Sequence, residues 1–108
     1  MSFVSTALRQ SAGHPDAGCM LNIAGVCTMQ GCVLCHIRMM GEVGMGQKPD
    51  DTMATFGCSA CHSHFDSNGT RGLKRGSEDW LFYALRGMAR THRWWREHGF
   101  VRFGGSEA

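Results

Sequence analysis

The stretch C-S-A-C-H at residues 58–62 is the part of this sequence that decides the fold. It places Cys58 and Cys61 three positions apart, after Gly57 and at the start of a predicted short helix that runs to Asp66. Thiolates at this spacing can converge on one metal ion, and the positive end of a helix dipole favours their negative charge. The stretch therefore predicts half of a structural zinc site with four ligands.

A second pair of cysteines is needed to complete such a site, and the sequence offers two. Cys32 and Cys35 have the tighter spacing, but residues 32–37 read as a β-strand, in which these two side chains would point to opposite faces. Cys19 and Cys27 close a compact loop at its two ends, and we prefer them as the partners of the first pair. Cys32 and Cys35 are then interpreted as small buried apolar residues.

The surrounding chain predicts two strands followed by a helix, a ββα unit. The strands are residues 32–37 and 52–56, and the loop between them, 39–49, is rich in glycine and ends at a proline. Alternation divides the first strand into two faces, one with Val33, Cys35 and Ile37, the other with Leu34 and His36. The predicted fold class is α+β, with a small ββα-metal core and a structural zinc.

A longer amphipathic helix is predicted in the C-terminal third. Ser77 followed by Glu78 and Asp79 is a helix start signal, and Gly99 is the expected stop. Apolar residues at helical spacing predict a core-facing side made of Trp80, Leu81, Ala84, Leu85, Met88 and Trp95. A second face carries an arginine stripe of Arg86, Arg90 and Arg93.

The charge of the chain is divided unevenly along its length. Residues 71–102 carry eight basic and three acidic side chains, whereas residues 1–70 carry three basic and five acidic ones. This asymmetry favours a polyanionic partner, and we expect DNA phosphates to contact the arginine stripe. A solvated helix face is the plainer alternative.

The cellular compartment is predicted from what the sequence lacks. Residues 1–13 have no basic segment followed by an apolar one, and no apolar run approaches the ~20 residues that cross a bilayer. We therefore expect a protein of a reducing cytoplasm, without a membrane partner. Residues 32–36 and 58–62 both match CxxCH, the attachment motif of c-type haem, but haem is not expected without an export signal.

Three side chains are candidates for phosphodiester chemistry. Such cleavage needs a base that activates water and a divalent cation that stabilises charge on the phosphate. His36 ends a strand beside the glycine-rich loop and is the predicted base. His62 and Asp66 lie four residues apart on the short helix, where they can hold Mg²⁺ or another divalent cation. Each also has a structural interpretation: His36 as a surface or core polar residue, His62 as a zinc ligand or helix-start residue, and Asp66 as the cap of a turn.

Several of these motifs together resemble a known family. IAGVC, CHIR, KPDD, MAT and CSACH, with GMART near the C-terminus, resemble the YbcO-like family of small phage and prophage nucleases, in the HNH (His-Me finger) superfamily. The likeness runs from about residue 18 to 98. It implies a general base at His36, a cation ligand at His62, and zinc ligands at the four preferred cysteines: Cys19, Cys27, Cys58 and Cys61. Cys35 stands where an acid or histidine often precedes the base, and Asp51 is the nearest counterpart of the central asparagine.

The sequence thus predicts an organisation and two competing functions. We expect an N-terminal arm over residues 1–17, a zinc-stapled nuclease domain over 18–98 and a tail over 99–108. The favoured function is a metal-dependent HNH-type endonuclease acting on DNA, with structural Zn²⁺ and a second catalytic cation. The alternative is a zinc-stabilised DNA-binding or adapter module without catalysis, and association into a homo-oligomer is compatible with either.

Overall fold

The computed structural model describes residues 3–38, 49–67, 69 and 72–102, and confirms the predicted α+β class. Its elements in chain order are α1 (Thr6–Ser11), β1 (Val33–His36), β2 (Ala54–Gly57), α2 (Ser59–Asp66) and α3 (Glu78–Glu97). Most of the predicted glycine-rich loop, residues 39–48, and the end of the tail, residues 103–108, lie outside the described residues. No helix in the described ranges has the length and apolar character needed to span a bilayer.

The two strands form an antiparallel hairpin, in which Leu34 pairs with Phe56 and His36 with Ala54. Cys35 and Ile37 are buried, as alternation predicts, whereas His36 is half-buried on the other face. Val33 departs from the pattern and leaves 41% of its surface exposed. It pairs with Gly57, which has no side chain to cover it across the ladder.

Helix α3 begins as predicted, because the Ser77 hydroxyl accepts a hydrogen bond from the Trp80 amide at 3.3 Å. Trp80, Ala84 and Trp95 are buried on its core side. Leu81 and Leu85 are not: the prediction that they face the core is wrong. The buried side is centred on Ala84, Gly87 and Thr91, and the helical repeat turns Leu81 and Leu85 away from that line.

A close contact seats α3 on β2. A Cβ atom at Gly87 would collide with the side chain of Thr55, so glycine lets the helix backbone approach the strand. One turn later, the Thr91 hydroxyl accepts a hydrogen bond from the Phe56 amide at 2.9 Å. The hydroxyl satisfies a buried strand donor and fixes the position of the helix along the sheet.

The N-terminal segment, for which the sequence left open an arm or a short helix, contributes the short helix α1 to the core. The Ser5 hydroxyl caps α1 through the Leu8 amide. Leu8 and Ala12 are buried in a cluster with Phe56 and two tryptophans of α3, and the Trp95 indole donates to the Ser11 hydroxyl at 2.7 Å. Helix α1 is thereby held against both the hairpin and α3.

Candidate metal centre and active site

Four cysteine sulfurs meet between the 19–27 loop and the start of α2. The Sγ atoms of Cys19, Cys27, Cys58 and Cys61 all lie within 4.8 Å of one another. Sulfurs around a tetrahedral zinc, each at ~2.3 Å from the ion, lie about 3.8 Å apart, so the set is close to the arrangement that this metal requires. The structure therefore brings together the four cysteines preferred from the sequence, and they can hold a metal ion such as zinc.

The backbone around these sulfurs is arranged to support thiolates. Cys19 Sγ accepts from the Cys58 amide at 3.2 Å, and Cys61 Sγ accepts from the Ile23 amide at 3.4 Å. Cys58 Sγ accepts from the amides of Thr28 and Cys61. Burial opposes ionisation of Cys58, but the hydrogen bonds from the two amides outweigh this effect and lower the thiol pKa to about 5. Because a metal binds the thiolate form, the amides favour ligation.

Cys32 and Cys35 take no part in this cluster. Cys35 is fully buried, and burial raises the pKa of its thiol well above the ordinary value. Cys32 is half-buried, and burial raises its thiol pKa as well. Both therefore stay protonated at neutral pH, which fits the interpretation of Cys35 as a small core residue.

His36 is hydrogen-bonded to a buried carboxylate. Its Nε2 lies 2.8 Å from Oδ1 of Asp51, and Asp51 is fully buried. The other oxygen, Oδ2, accepts from the Ser5 amide at 2.7 Å and from Nε of Arg9 at 2.9 Å. Burial opposes ionisation of Asp51, but the donors from Arg9, Ser5 and His36 outweigh it and lower its pKa to about 2.

This carboxylate decides which nitrogen of His36 can act as a base. An ionised carboxylate only accepts hydrogen bonds, so Nε2 of a neutral His36 must carry the proton that Asp51 receives. Nδ1 is then the unprotonated nitrogen, with a lone pair that can take a proton from water. The arrangement resembles the histidine–aspartate pairs that orient a general base.

Two guanidinium groups lie beside this imidazole. An open depression of about 390 Å³ is lined by Arg9, Cys32, Val33, Leu34, His36 and Arg38. Arg9 is held by Asp51, whereas Arg38 is the second residue after the end of β1. A half-buried histidine between two arginines suits an anion such as a phosphate, because guanidinium groups match phosphate oxygens.

His62 and Asp66, the two predicted cation ligands, contact each other on α2. His62 Nε2 lies 3.0 Å from Asp66 Oδ2, and both side chains are partly exposed. The hydrogen bond that His62 donates to Asp66 raises the pKa of His62 and lowers the pKa of Asp66. The positive charge of Arg38 also lowers the pKa of Asp66. Arg38 thus interacts with this pair and also lines the depression beside His36.

The arginine stripe is less uniform than the sequence predicts. Arg86 turns toward its own chain: its Nη2 donates to the carbonyls of Leu21 at 3.0 Å and Asn22 at 3.1 Å. Its guanidinium also lies over the Phe82 ring, 5.0 Å from the centroid. Arg86 therefore connects α3 to the 19–27 loop, and its guanidinium is occupied by these contacts rather than free to bind a phosphate.

Sequence and structure comparisons identify the family to which this chain belongs. A family model described as "Putative nuclease YbcO" matches residues 6–100. A protein of Escherichia coli K12 with that same name is 41% identical over 86 residues, which cover 78% of this chain and 86% of the relative. The chain belongs to the YbcO family. A relative of the same name from Enterobacteria phage 82 shows the same identity and coverage, so the family is found in phage.

A solved structure agrees with this membership in the YbcO family. It is described as "Structure of a putative bacteriophage protein from Escherichia coli str. K-12 substr. MG1655" and is 37% identical to this chain. The two superpose with a TM-score of 0.60 over 78% of this chain and 91% of the other. The family match at residues 6–100 includes α1 and therefore Arg9, as well as His36, Asp51 and the four clustered cysteines.

Reasoning from the sequence missed two parts of this site. The sequence offers Asp51 as the counterpart of the central asparagine or as a further cation ligand, not as the partner of His36, and it gives no sign of the role of Arg9. The start of α1 does carry a signal, since Ser5 is a good helix cap ahead of Leu8 and Arg9. Nothing local shows that this helix reaches a carboxylate 42 residues further along the chain.

Proposed function

We propose that this protein is a divalent-cation-dependent endonuclease of the HNH type, which hydrolyses phosphodiester bonds in DNA. The observation that carries the proposal is the contact of His36 Nε2 with buried Asp51, beside the depression that Arg9 and Arg38 line. The names of the YbcO relatives, as nucleases, support the reaction class. The order of two strands and a helix supports assignment to the ββα-metal superfamily.

The proposed chemistry begins at His36. With Nε2 hydrogen-bonded to Asp51, Nδ1 accepts a proton from a water molecule, and the resulting hydroxide attacks phosphorus. The imidazolium formed in this step gains a charge interaction with the Asp51 carboxylate. The donors from Ser5 and Arg9 keep that carboxylate ionised, so it does not compete for the proton.

The arginines supply the second part of the mechanism. Arg9 and Arg38 bind the phosphate oxygens and stabilise the charge that grows on them in the transition state. Further along the duplex, Arg90 is proposed to contact backbone phosphates, as predicted from the sequence. Arg86 is left out of this role because two backbone carbonyls already bind it.

His62 and Asp66 are proposed to hold the catalytic cation. Asp66 offers a carboxylate oxygen, the ligand type that suits Mg²⁺ or Mn²⁺, and His62 adds an imidazole nitrogen, which suits transition metals better. Hydrated magnesium needs few protein ligands. A bound cation would stabilise the leaving oxygen. The four cysteines hold zinc in a separate, structural role, since a closed set of four thiolates leaves no position open for a substrate.

The cation dependence tests the proposal. Zinc-loaded protein should nick supercoiled plasmid when Mg²⁺ or Mn²⁺ is added and should be inactive when neither is present. His62→Ala and Asp66→Asn should each raise the cation concentration for half-maximal cleavage by at least about tenfold, because each removes one ligand. His64→Ala, on the same helix, is the matched control. DNA binding without cleavage under any divalent ion would instead support the non-catalytic module.

The Asp51 contact gives an independent prediction. Asp51→Asn should lower the cleavage rate by about 100-fold or more, because an amide can present its NH₂ to His36 and reverse the tautomer. The neighbouring Asp50→Asn variant is the control, since Asp50 binds the Phe3 amide and does not bind His36. Equal rates in the two variants would contradict the assignment.

The same substitution should change how stability depends on pH. The pKa of Asp51 is lowered from 3.8 to about 2 in the folded protein. A depressed carboxyl pKa stabilises the fold above the unfolded value, and this contribution is lost as the pH falls through the folded value. Denaturant titrations should therefore show the wild type losing stability between pH 4 and pH 2 through this group, a loss that Asp51→Asn lacks.

A further inference from the structure

The outward face of α3 carries an apolar stripe that the fold leaves uncovered. Leu81, Phe82 and Leu85 expose 39%, 55% and 66% of their surfaces, and Ala89 extends the stripe by one turn and is also exposed. These are the side chains that sequence periodicity partly assigned to the core. Contiguous exposed apolar residues on one helix are typical of an interaction surface.

Charges of opposite sign flank this apolar stripe. Glu78 and Asp79 stand exposed at its N-terminal end. Arg93, exposed, and Arg96, half-buried, stand at its C-terminal end. Glu78 lies seven residues before Leu85 and Arg93 eight residues after it, which is about 11 Å on either side along a helix. The stripe therefore extends nearly the same distance on both sides of Leu85. Its N-terminal end is flanked by acids and its C-terminal end by arginines.

From this arrangement we propose that the apolar stripe of α3 binds a second copy of this chain, with the two α3 helices antiparallel and crossing near Leu85. In that orientation Glu78 faces the partner's Arg93, and the twofold symmetry repeats the pair at the other end. Phe82 and Leu85 pack against the same apolar stripe on the partner. The antiparallel helix dipoles add to the attraction.

The chemistry of the stripe favours a second copy over the other macromolecules this protein meets. A DNA backbone would be repelled by Glu78 and Asp79 and would gain little from Leu85. A self-complementary surface needs acid and base at similar distances from its centre, and Glu78 and Arg93 lie seven and eight residues from Leu85. In this dimer Arg93 pairs with a carboxylate, which replaces the DNA contact predicted for Arg93 from the sequence.

The size of the contact sets the strength expected. Helix α3 has 20 residues, so it is about 30 Å long, and one helix pair of this length is at the low end of specific interfaces. We therefore expect a dissociation constant of roughly 1 to 100 µM. The association should be visible as a monomer–dimer equilibrium that depends on protein concentration.

Charge reversal tests the antiparallel pairing. In sedimentation equilibrium of the zinc-loaded protein, Glu78→Arg and Arg93→Glu should each weaken dimerisation at least about tenfold, because like charges then meet. The double variant Glu78→Arg/Arg93→Glu should restore it, and so should an equimolar mixture of the two single variants. Leu85→Glu should leave a monomer, since two carboxylates would meet at the crossing point.

The controls separate this interface from loss of folding. Asp16→Arg makes the same charge change at an exposed site in another part of the chain and should dimerise like the wild type. Circular dichroism and zinc content should match in all variants. A wild type that stays monomeric up to several hundred micromolar would overturn the proposal. A dimer that survives Leu85→Glu, or single reversals that the double variant does not rescue, would overturn it equally.

Discussion

Replacing His36 with alanine is expected to reduce DNA cleavage by at least about 100-fold, because the reaction loses the base that activates water. Among the described residues, His36 and Arg9 both contact the buried Asp51 carboxylate and line the depression. Arg9 cannot act as a base, because its guanidinium stays protonated. The measurement is the rate of plasmid nicking at saturating Mg²⁺ or Mn²⁺. The variant should still bind DNA, since the arginines are unchanged.

The stability of this variant should separate chemistry from structure. His36 is half-buried, and its substitution leaves Asp51 with two other donors, from Ser5 and Arg9. Folding and zinc content should therefore be kept. His98→Ala, at the exposed end of α3, is the control and should cleave like the wild type. Undiminished cleavage by His36→Ala would reject His36 as the base, whatever the other variants show.

The second large effect concerns the metal centre. Cys58→Ser should abolish stoichiometric zinc binding and prevent stable folding, because structural zinc contributes on the order of 10 kcal/mol of apparent binding free energy at neutral pH. Cys58 is the appropriate target. Its thiol pKa is lowered to about 5, its sulfur accepts two backbone N–H bonds, and it is the N-cap of α2. The measurements are zinc per chain and the circular dichroism of the purified protein.

A serine at Cys32 is the matched control for this experiment. Cys32 is half-buried near the cluster but is not one of the four sulfurs within 4.8 Å of one another. Cys32→Ser should keep one zinc per chain and a cooperative unfolding transition. If Cys58→Ser retained both, the four-thiolate centre would be wrong. Loss of zinc with the fold intact would show instead that the metal is bound but does not hold the structure together.

The local elements of this protein follow from short sequence patterns. The Ser77 cap with two acids predicts the start of α3, and the alternation in β1 predicts the burial of Cys35 and Ile37. The arm was harder to interpret, because its polar composition hides two apolar residues, Leu8 and Ala12, that become buried only against Phe56 and the α3 tryptophans. Leu81 and Leu85 have the spacing of core residues but are exposed. Spacing alone does not tell which apolar side of a helix packs against the rest of the protein.

The cysteine cluster could be predicted because its ligands come as two pairs, each close together along the chain. Each pair is local, so the sequence offers two candidate partner pairs for Cys58 and Cys61, and strand alternation in residues 32–37 argues against Cys32 and Cys35. The choice of Cys19 and Cys27 needed no knowledge of the tertiary fold beyond that single strand. The spacing of Cys58 and Cys61 at a helix start is enough to predict them as metal ligands.

By itself, then, the sequence determined the α+β class, the four sulfurs that meet, and His36 as the histidine beside the strand end, because each rests on residues close together along the chain. Only the tertiary structure decided what holds that histidine: Asp51 arrives 15 residues later and Arg9 from a helix 42 residues before Asp51. It also decided that Arg86 binds backbone carbonyls some 65 residues away. Contacts at such separations depend on how hairpin and helices pack, and no periodicity in the sequence encodes them.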